Sequence, residues 1–259
     1  MIQLNSDNYY SPDANMDYMS ASQFKSFLNC EAGTLAELRG EYGRPEPSKD
    51  MMIGSYIDAH FSGELDKFCA EHPEIVSSRG ASKGQLKAEY QAANGIIDRI
   101  SRDKMMMKYL SGESQKIMTG EIAGVPFKIK MDSYHSGKCI VDLKIMKDFS
   151  SQYSQELKKR IHFIEYWRYD YQLAIYQAIE GNRLPVYIAA ATKEPEPDIR
   201  IYQIPQERLD ACMETIRELA PRFQKIKLGE LEPVRCEKCN YCKHTKELKE
   251  VINYQDEVE

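Results

Sequence analysis

Two acids and a lysine near the middle of the chain, Asp132, Asp142 and Lys144, have the types and spacing of a hydrolytic site. Asp142 and Lys144 lie in the apolar, β-branched stretch KCIVDLKIMKD (138–148), where charged side chains are unusual. Two carboxylates can bind a divalent cation, which acts as a Lewis acid and lowers the pKa of bound water. A neighbouring lysine can orient or deprotonate that water and stabilise developing negative charge.

The residue alternation around these acids predicts a hairpin that brings them together. In segments 127–132 and 139–145 the apolar residues take odd positions, and charged residues take even ones. Aligning the two apolar faces requires a three-residue loop at 136–138, which sets His135 opposite Cys139 and Asp132 opposite Asp142. Carboxylates about 5 Å apart repel each other, and a divalent cation is the simplest compensation. A solvated outer face of an ordinary hairpin is the competing interpretation.

The order Asp132…Asp142-Leu143-Lys144 resembles the signature of the PD-(D/E)XK nuclease superfamily, an Asp followed by Asp-x-Lys on the next strand. The proline that usually precedes the first Asp is absent. The resemblance implies an α/β, restriction-endonuclease-like core with a central mixed β-sheet flanked by helices. It also implies a hydrolase acting on phosphodiester bonds.

Two helical motifs resemble those of the RecB-like and RecE-like, phage-type exonucleases. In GSYIDAHFSGEL, Gly54, His60 and Glu64 match a helix that delivers a histidine to the metal. His60 and Glu64 are four residues apart and are expected to share a face. In YDYQLAIYQAI, Gln172 and Tyr176 match a Gln-x-x-x-Tyr element, whose implied role is to position the carboxylates, the lysine or the DNA phosphate.

Each motif has an ordinary structural alternative. His60 could be a surface or core histidine, and Gln172 and Tyr176 could belong to an amphipathic stripe. Glu121, one strand before Asp132, is a further candidate near the metal, with a surface position as its alternative.

The motifs occur in the same order as in that branch, across roughly residues 20–245. The resemblance implies a metal-dependent exonuclease acting on DNA, with linear double-stranded DNA as the expected substrate, in phage or prophage recombination or repair. Its expected partner is a single-strand annealing protein, and oligomers occur among the relatives. The alternatives are a catalytically silent DNA-binding iron–sulfur module and an endonuclease of the same superfamily.

The resemblance also implies a ligand set: His60, Asp132, Asp142 and the carbonyl of Leu143. Oxygen ligands suit Mg²⁺ or Mn²⁺, and an imidazole ligand favours Mn²⁺.

Basic residues near aromatic ones are the candidate DNA contacts. Residues 79–108 carry a local excess of positive charge, and KKRIHFIEYWRYDYQ (158–172) interleaves cations with aromatic rings. Such segments can bind phosphates and stack on unpaired bases. The predicted DNA-binding residues are Lys83, Lys87, Lys158, Lys159, Arg160 and Arg168.

Three of the seven cysteines are clustered, at Cys236, Cys239 and Cys242, which points to a metal rather than to disulfides. With Cys30 as a distant fourth ligand, the order resembles nuclease domains that hold a [4Fe-4S] cluster, although their last cysteine usually follows a longer gap. A zinc site completed by His244 or Cys30 and a set of unliganded thiols are the alternatives.

Composition bounds the setting of the protein. The chain has 259 residues, a net charge of −5 and an ordinary hydrophobic fraction of 42%, so any nucleic-acid contact must be local. No apolar run approaches the ~20 residues of a membrane helix, and the N-terminus lacks a secretory pattern. We therefore expect a cytoplasmic protein that does not contact membranes.

The pattern predicts one nuclease domain over 1–259, in three parts: helical (~1–112), catalytic α/β (~113–230), and a cysteine cluster with an acidic tail (~231–259). The first helix should begin near Ser20 or Ser22 and be closed by Gly43 and Pro45. The other predicted helices are 50–72, 83–110, 150–181 and 206–228. Three strands are predicted in 114–146, with turns at Ala123-Gly124 and Ser136-Gly137, and two more at 185–194 and 198–205.

Overall fold

A computed structural model of the chain describes residues 2–43, 46–248 and 250–256. The helices are α1 (Pro12–Asp17), α2 (Ala21–Asn29), α3 (Glu31–Leu38), α4 (Lys49–Ser62), α5 (Leu65–Glu71), α6 (Ala88–Ser101), α7 (Lys104–Leu110), α8 (Phe163–Tyr166), α9 (Tyr169–Glu180), α10 (Gln206–Leu228) and α11 (Asn240–His244), with 3₁₀ turns at Pro73–Ile75 and Tyr254–Asp256. The strands are β1 (Met19–Ser20), β2 (Glu113–Ile122), β3 (Val125–His135), β4 (Cys139–Met146), β5 (Gln152–Ser154), β6 (Lys159–Ile161), β7 (Val186–Thr192) and β8 (Ile199–Gln203). No helix in the described part of the chain combines the length and apolarity needed to cross a bilayer.

The central sheet is mixed and contains a fork between β3 and β4. Its strands run in the order β1-β3-β4-β7-β8, with β4 parallel to β7, and β2 pairs with β3. Because β2 pairs with β3 from Val125 to Tyr134, β1 and β4 must share the other edge of β3. There β1 covers residues 127–128 and β4 covers 133–135. Within the described part of the chain, no strand pairs with the intervening residues 129–132 on that edge.

Helices cover both faces of this sheet and form two apolar clusters. One contains Phe24 of α2, Leu173 of α9 and Ile216 of α10. The other contains Ile57 of α4 and Ile97 of α6. The central strands β4 and β7 are buried on both faces, as expected for parallel neighbours in an α/β sheet.

The predicted N-terminal helices are each broken into two. Ser20 caps α2 as predicted, but extended backbone at Cys30 ends that helix and starts α3, which ends at Leu38 rather than at Gly43. Gly63, with φ of +76°, ends α4, and Asp103 caps α7. The predicted role of Pro45 lies outside the described residues.

The β3–β4 hairpin confirms the predicted register but corrects its premise. His135 pairs with Cys139 across the three-residue loop. However, the odd residues of the two strands do not share a core: Ile129 belongs to the α2–α9–α10 cluster and Val141 to the α4–α6 cluster. The physical reason is that the alternation of β3 breaks near the fork: Met131 and Tyr134, one odd and one even, both belong to the α2–α9–α10 cluster. In addition, β4 is buried on both faces, so its parity does not identify a single apolar side.

The C-terminal half differs from the prediction in one segment. Residues 150–181 were predicted to be helical, but β5 and β6 form a small hairpin there before α8 and α9. Strands β7 and β8 and helix α10 fall where the pattern predicts them. Proline 221 lies within α10 without ending it.

A close backbone approach at Gly112 generates a stability prediction. A Cβ atom at Gly112 would lie 2.7 Å from the Tyr134 carbonyl oxygen. We expect Gly112→Ala to lower the free energy of unfolding by about 1–3 kcal/mol, because the backbone at the start of β2 must shift to make room for the methyl group. Gly95 in α6 has open space at its Cβ position, so Gly95→Ala should raise that free energy by about 0.5–1 kcal/mol. Urea unfolding followed by circular dichroism measures both, and an unchanged midpoint for Gly112→Ala would contradict the packing argument.

Candidate active site

The predicted acids meet where β3 and β4 separate. The last ladder pair before the fork is Ser133 with Val141. Beyond it, Asp132 bridges the gap with its side chain: Oδ2 accepts a 2.9 Å hydrogen bond from the Leu143 amide. The carboxylate thus replaces a missing strand contact and is fixed beside Asp142.

Asp142 is almost completely buried, with 1% of its surface exposed. Its Oδ1 accepts a 2.8 Å hydrogen bond from Gln172 Nε2. Its Oδ2 forms an ion pair with Lys144 Nζ. The Lys144 ammonium is therefore the partner of this buried oxygen.

Helix α9 presents the Gln-x-x-x-Tyr pair to the fork. Gln172 Nε2 lies 3.0 Å from the Tyr176 hydroxyl, so the two side chains share one helix face as predicted. The Tyr176 hydroxyl donates a 2.9 Å hydrogen bond to the Lys130 carbonyl, within the section of β3 that lacks a partner on its forked edge. The pair therefore connects the opened section of β3 to the Asp142 carboxylate.

The site concentrates negative charge at low solvent exposure. The pKa of Asp132 is raised well above its usual range, first by burial and then by the charges of Asp142 and Asp58. Burial alone would lower the pKa of Lys144, but the charges of Asp142 and Asp132 outweigh it and raise that pKa. Lys144 therefore remains an ammonium.

Asp58 is a site residue that the sequence interpretation missed. It lies on α4, and its pKa is raised, first by burial and also by Asp142, while Lys144 acts in the opposite direction. The Gln115 amide nitrogen lies 3.3 and 3.4 Å from its two carboxylate oxygens. Gln115 itself has left-handed backbone at φ +52°, an uncommon conformation for its type. The sequence offered one signal for this residue: an acid flanked by the apolar residues Ile57 and Ala59, both of which are buried.

Lys25 and Tyr169 were also missed. Lys25 Nζ lies 3.4 Å from Gln172 Oε1 and 5.3 Å from the centre of the Tyr169 ring. Lys144 Nζ lies 5.1 Å from the same ring. No spacing in the sequence connects α2 with these residues.

The structure does not gather the whole predicted ligand set. His60 is an exposed residue of α4 whose ring contacts Phe61, and Asp58 on that helix interacts with the acids instead. Because Gly63 ends α4, Glu64 lies beyond that helix rather than four positions along it from His60. Its charge nevertheless contributes to the raised pKa of Asp58, so Glu64 remains close enough to act on the acids.

Glu121 lies far from the site. It pairs with Pro126, six residues along β3 from Asp132, which is about 20 Å of extended strand. The proposed proximity of Glu121 to the metal is therefore corrected to a position near the β2–β3 turn.

The predicted DNA contacts are mostly on the surface. Lys83, Lys87, Lys158, Lys159 and Arg160 are exposed. Arg168 is half-buried, has left-handed backbone at φ +53°, and donates a 2.6 Å hydrogen bond to Asn29 Oδ1. Tyr166 and Trp167 are exposed and in edge-to-face contact, so these two rings are accessible for stacking.

The donor atoms in the fork fit a hard divalent cation. Asp132, Asp142 and the Leu143 carbonyl supply oxygen atoms, the ligand type that Mg²⁺ and Mn²⁺ prefer. The Lys144 ammonium already contacts Asp142 Oδ2 and lies 3.4 Å from the Leu143 oxygen. A positive charge thus lies against two of the predicted ligands.

The four cysteines form a second candidate metal site. The Sγ atoms of Cys30, Cys236, Cys239 and Cys242 all lie within 4.8 Å of one another, the only such group of His, Cys, Asp or Glu ligands among the described residues. Cys30 thus lies with the three clustered cysteines, in the place of the predicted fourth ligand, and His244 is not part of this group. Burial opposes ionisation of Cys236, but backbone hydrogen bonds from Lys238 and Cys239 lower its pKa to about 6.

Comparison with known proteins agrees with this geometry. Residues 20–245 match a family model described as a PDDEXK-like domain of unknown function, DUF3799. A protein from Eubacterium rectale whose crystal structure bears the name "Putative exonuclease" is 42% identical in sequence. The match covers 99% of this chain and 98% of that protein, with a TM-score of 0.91. The crystal structure of SSO0001 covers 73% of this chain at 12% identity and a TM-score of 0.28, which carries no argument. No curated protein matches the chain. The matches confirm the α/β, restriction-endonuclease-like fold and support a nuclease.

The raised pKa of Asp132 predicts that this residue destabilises the metal-free protein at neutral pH. Because the pKa of Asp132 is higher in the folded than in the unfolded state, its contribution to folding stability is fully present below about pH 3.9. That contribution is lost as the pH rises through the folded-state pKa. Asp132→Asn should therefore raise the free energy of unfolding in EDTA at pH 7.5 by about 1–2 kcal/mol. Its melting temperature should rise by about 2–5 °C, with a smaller gain at pH 4.5.

Thermal unfolding at both pH values measures this effect. Glu218→Gln, at an exposed acid of α10, is the matched control and should change little. A melting temperature of Asp132→Asn at or below that of the wild type at pH 7.5 would contradict the charge-repulsion account.

Proposed function

The chain belongs to the DUF3799 family of PDDEXK-like domains, and from this premise we propose that it is a metal-dependent DNA exonuclease. The observation that carries the proposal is the fork itself, where Asp132 and Asp142 meet beside Lys144 and Gln172. The name of the Eubacterium rectale protein supports an exonuclease over an endonuclease. The complete catalytic set favours an enzyme over a silent DNA-binding module.

Each residue has a role in hydrolysis. Asp132, Asp142 and the Leu143 carbonyl would hold Mg²⁺ or Mn²⁺, which neutralises phosphate charge and lowers the pKa of bound water. Lys144 would orient the attacking water and stabilise the pentavalent phosphate. Attack by the water oxygen would form a new phosphorus–oxygen bond and break the bond to the departing oxygen. The attacking water would lose a proton to solvent, and the departing oxygen would take one from solvent. Gln172 and Tyr176 position Asp142 and the open section of β3.

We propose that helix α4 supplies one further ligand of the metal, and that Asp58 and His60 are its two candidates. Asp58 is electrostatically coupled to Asp132 and Asp142, whereas His60 would need to turn toward them. Substrate would be bound by the exposed cations Lys83, Lys87 and Lys158 and their neighbours, through phosphate contacts rather than base-specific readout.

Digestion of three DNA forms tests the activity. Linear double-stranded, covalently closed circular and single-stranded DNA are incubated with Mg²⁺ or Mn²⁺. We expect degradation of the linear duplex and not of the closed circles, because an exonuclease requires an end; the single-stranded DNA shows whether a duplex is also required. Asp142→Ala and Lys144→Ala should each lower the rate at least about 100-fold, since each removes charge at the reacting phosphate.

Two outcomes would overturn parts of this proposal. Equal cleavage of closed circles would replace the exonuclease assignment with an endonuclease. Full activity in either variant, with circular dichroism showing a native fold, would remove the site assignment.

We further propose that the cysteines hold a structural metal centre. The centre would tie α3 to α11, because Cys30 caps α3 and Cys239 caps α11. The sulfur separations, 3.6 Å for Cys30–Cys242 and 3.9 Å for Cys236–Cys242, are close to the ~3.8 Å expected around one tetrahedral ion with ~2.3 Å bonds. The Cys-x2-Cys-x2-Cys spacing instead resembles that of a [4Fe-4S] site, for which the sulfurs would have to separate.

Metal analysis after anaerobic purification distinguishes the two centres. About one zinc per chain identifies a single ion, and about four iron with absorbance near 400 nm identifies a cluster. Cys239→Ser should lose the metal and lower the melting temperature, with Cys69→Ser, outside the group, as the control. A metal-free native protein of unchanged melting temperature in Cys239→Ser would refute the structural centre.

The biological setting follows from the resemblance alone. We propose that this single nuclease domain acts in the cytoplasm on DNA during phage or prophage recombination, with a single-strand annealing protein as partner.

A further inference from the structure

Lys25 lies beside the catalytic groups although it belongs to a different element. It is a half-buried residue of α2, which begins at the Ser20 cap and packs against α9. Its Nζ lies 3.4 Å from Gln172 Oε1 and faces the Tyr169 ring at 5.3 Å. The ammonium is thus held by an amide oxygen and an aromatic face, both of them neutral.

These contacts close a ring of interactions around the site. Gln172 accepts from Lys25 and donates to Asp142. Asp142 pairs with Lys144, and Lys144 faces the same Tyr169 ring at 5.1 Å. Two ammonium groups are therefore arranged about one ring. Lys144 is paired with a carboxylate, whereas no carboxylate of the described residues forms an ion pair with Lys25.

The electrostatics of Lys25 point to a missing anion. Burial lowers its pKa to about 8, and the positive charge of Lys144 contributes to the shift. An ammonium whose direct contacts are a neutral amide oxygen and an aromatic ring is costly at low solvent exposure, and an anion bound beside it would offset that cost. In a nuclease site the scissile phosphate supplies that anion.

We propose that Lys25 is a second phosphate-binding lysine of the active site, which contacts a non-bridging oxygen of the scissile phosphodiester. Tyr169 is a positioning residue, because its ring faces both ammonium groups. The inference rests on the proposed nuclease function and deepens it. Lys144 orients the water and pairs with Asp142, whereas Lys25 stabilises the negative charge that the phosphate gains as the water attacks.

Substitutions at Lys25 test the contact directly. Lys25→Met should lower kcat/KM on linear duplex roughly 10- to 100-fold, as expected for the loss of one charge-assisted hydrogen bond. Most of this loss should fall on kcat, since the phosphate gains charge in the transition state. Lys25→Arg keeps the charge and should recover most of the activity. Lys225→Met, at an exposed lysine of α10, is the matched control.

The pH profile gives a readout that a purely structural role would not move. The charged groups that influence Lys25 are Lys144 and Arg168, which lower its pKa, and Asp142 and Asp170, which raise it. If Lys25 must be protonated, kcat/KM of the wild type should fall above about pH 8. Lys25→Arg should lack this limb, because arginine keeps its proton throughout the range.

The positioning role of Tyr169 has its own variants. Tyr169→Phe keeps the aromatic face and should retain most of the activity, whereas Tyr169→Leu should lower kcat to a similar extent as Lys25→Met. Equal activity of the Leu and Phe variants would overturn the positioning role.

The outcomes separate this inference from the proposed function. If Asp142→Ala abolishes cleavage while Lys25→Met stays within threefold of Lys225→Met, the nuclease stands and the role of Lys25 is wrong. If the wild type cuts no DNA, the proposed function is wrong, and the role of Lys25 is then tested by measuring DNA affinity. The probe is a fluorescein-labelled linear duplex with Ca²⁺, and equal affinities of wild type and Lys25→Met would then overturn the inference.

Discussion

The repulsion between two buried carboxylates at the β3–β4 fork is the constraint on which the rest of the site depends. Asp132 and Asp142 would be unfavourable neighbours in any folded protein without compensation. Each is held by specific groups, Asp132 by the Leu143 amide and Asp142 by Gln172 and Lys144. These contacts fix the positions of the acids, and the surplus negative charge that remains favours a cation.

The sheet topology creates the fork and the helices preserve it. β2 occupies one full edge of β3, while β1 and β4 divide the other edge and leave a gap between them. The Tyr176 hydroxyl and the Asp132 carboxylate use polar groups exposed by that gap. Apolar clusters on both faces of the sheet hold α9 and α4 against the fork, so the opening in the sheet is rigid.

The sequence predicted the site where the contacts are local and failed where they join distant elements. Alternation located Asp132, Asp142 and Lys144, and helical spacing paired Gln172 with Tyr176. Lys25 and Asp58 could not be found in this way, because their proximity to the acids arises from packing of α2 and α4. The breaks at Cys30, Gly63 and Asp103 show a further limit: helical periodicity continues through residues whose backbone ends the helix.

The most direct test of this account is a crystal structure of the protein soaked in Mn²⁺, with the ion located by anomalous scattering. The account predicts an ion in contact with both Asp132 and Asp142, and an Lys144 ammonium displaced from Asp142 Oδ2. Manganese bound elsewhere, with the Lys144–Asp142 ion pair unchanged, would contradict the claim that the fork is built to hold a catalytic cation.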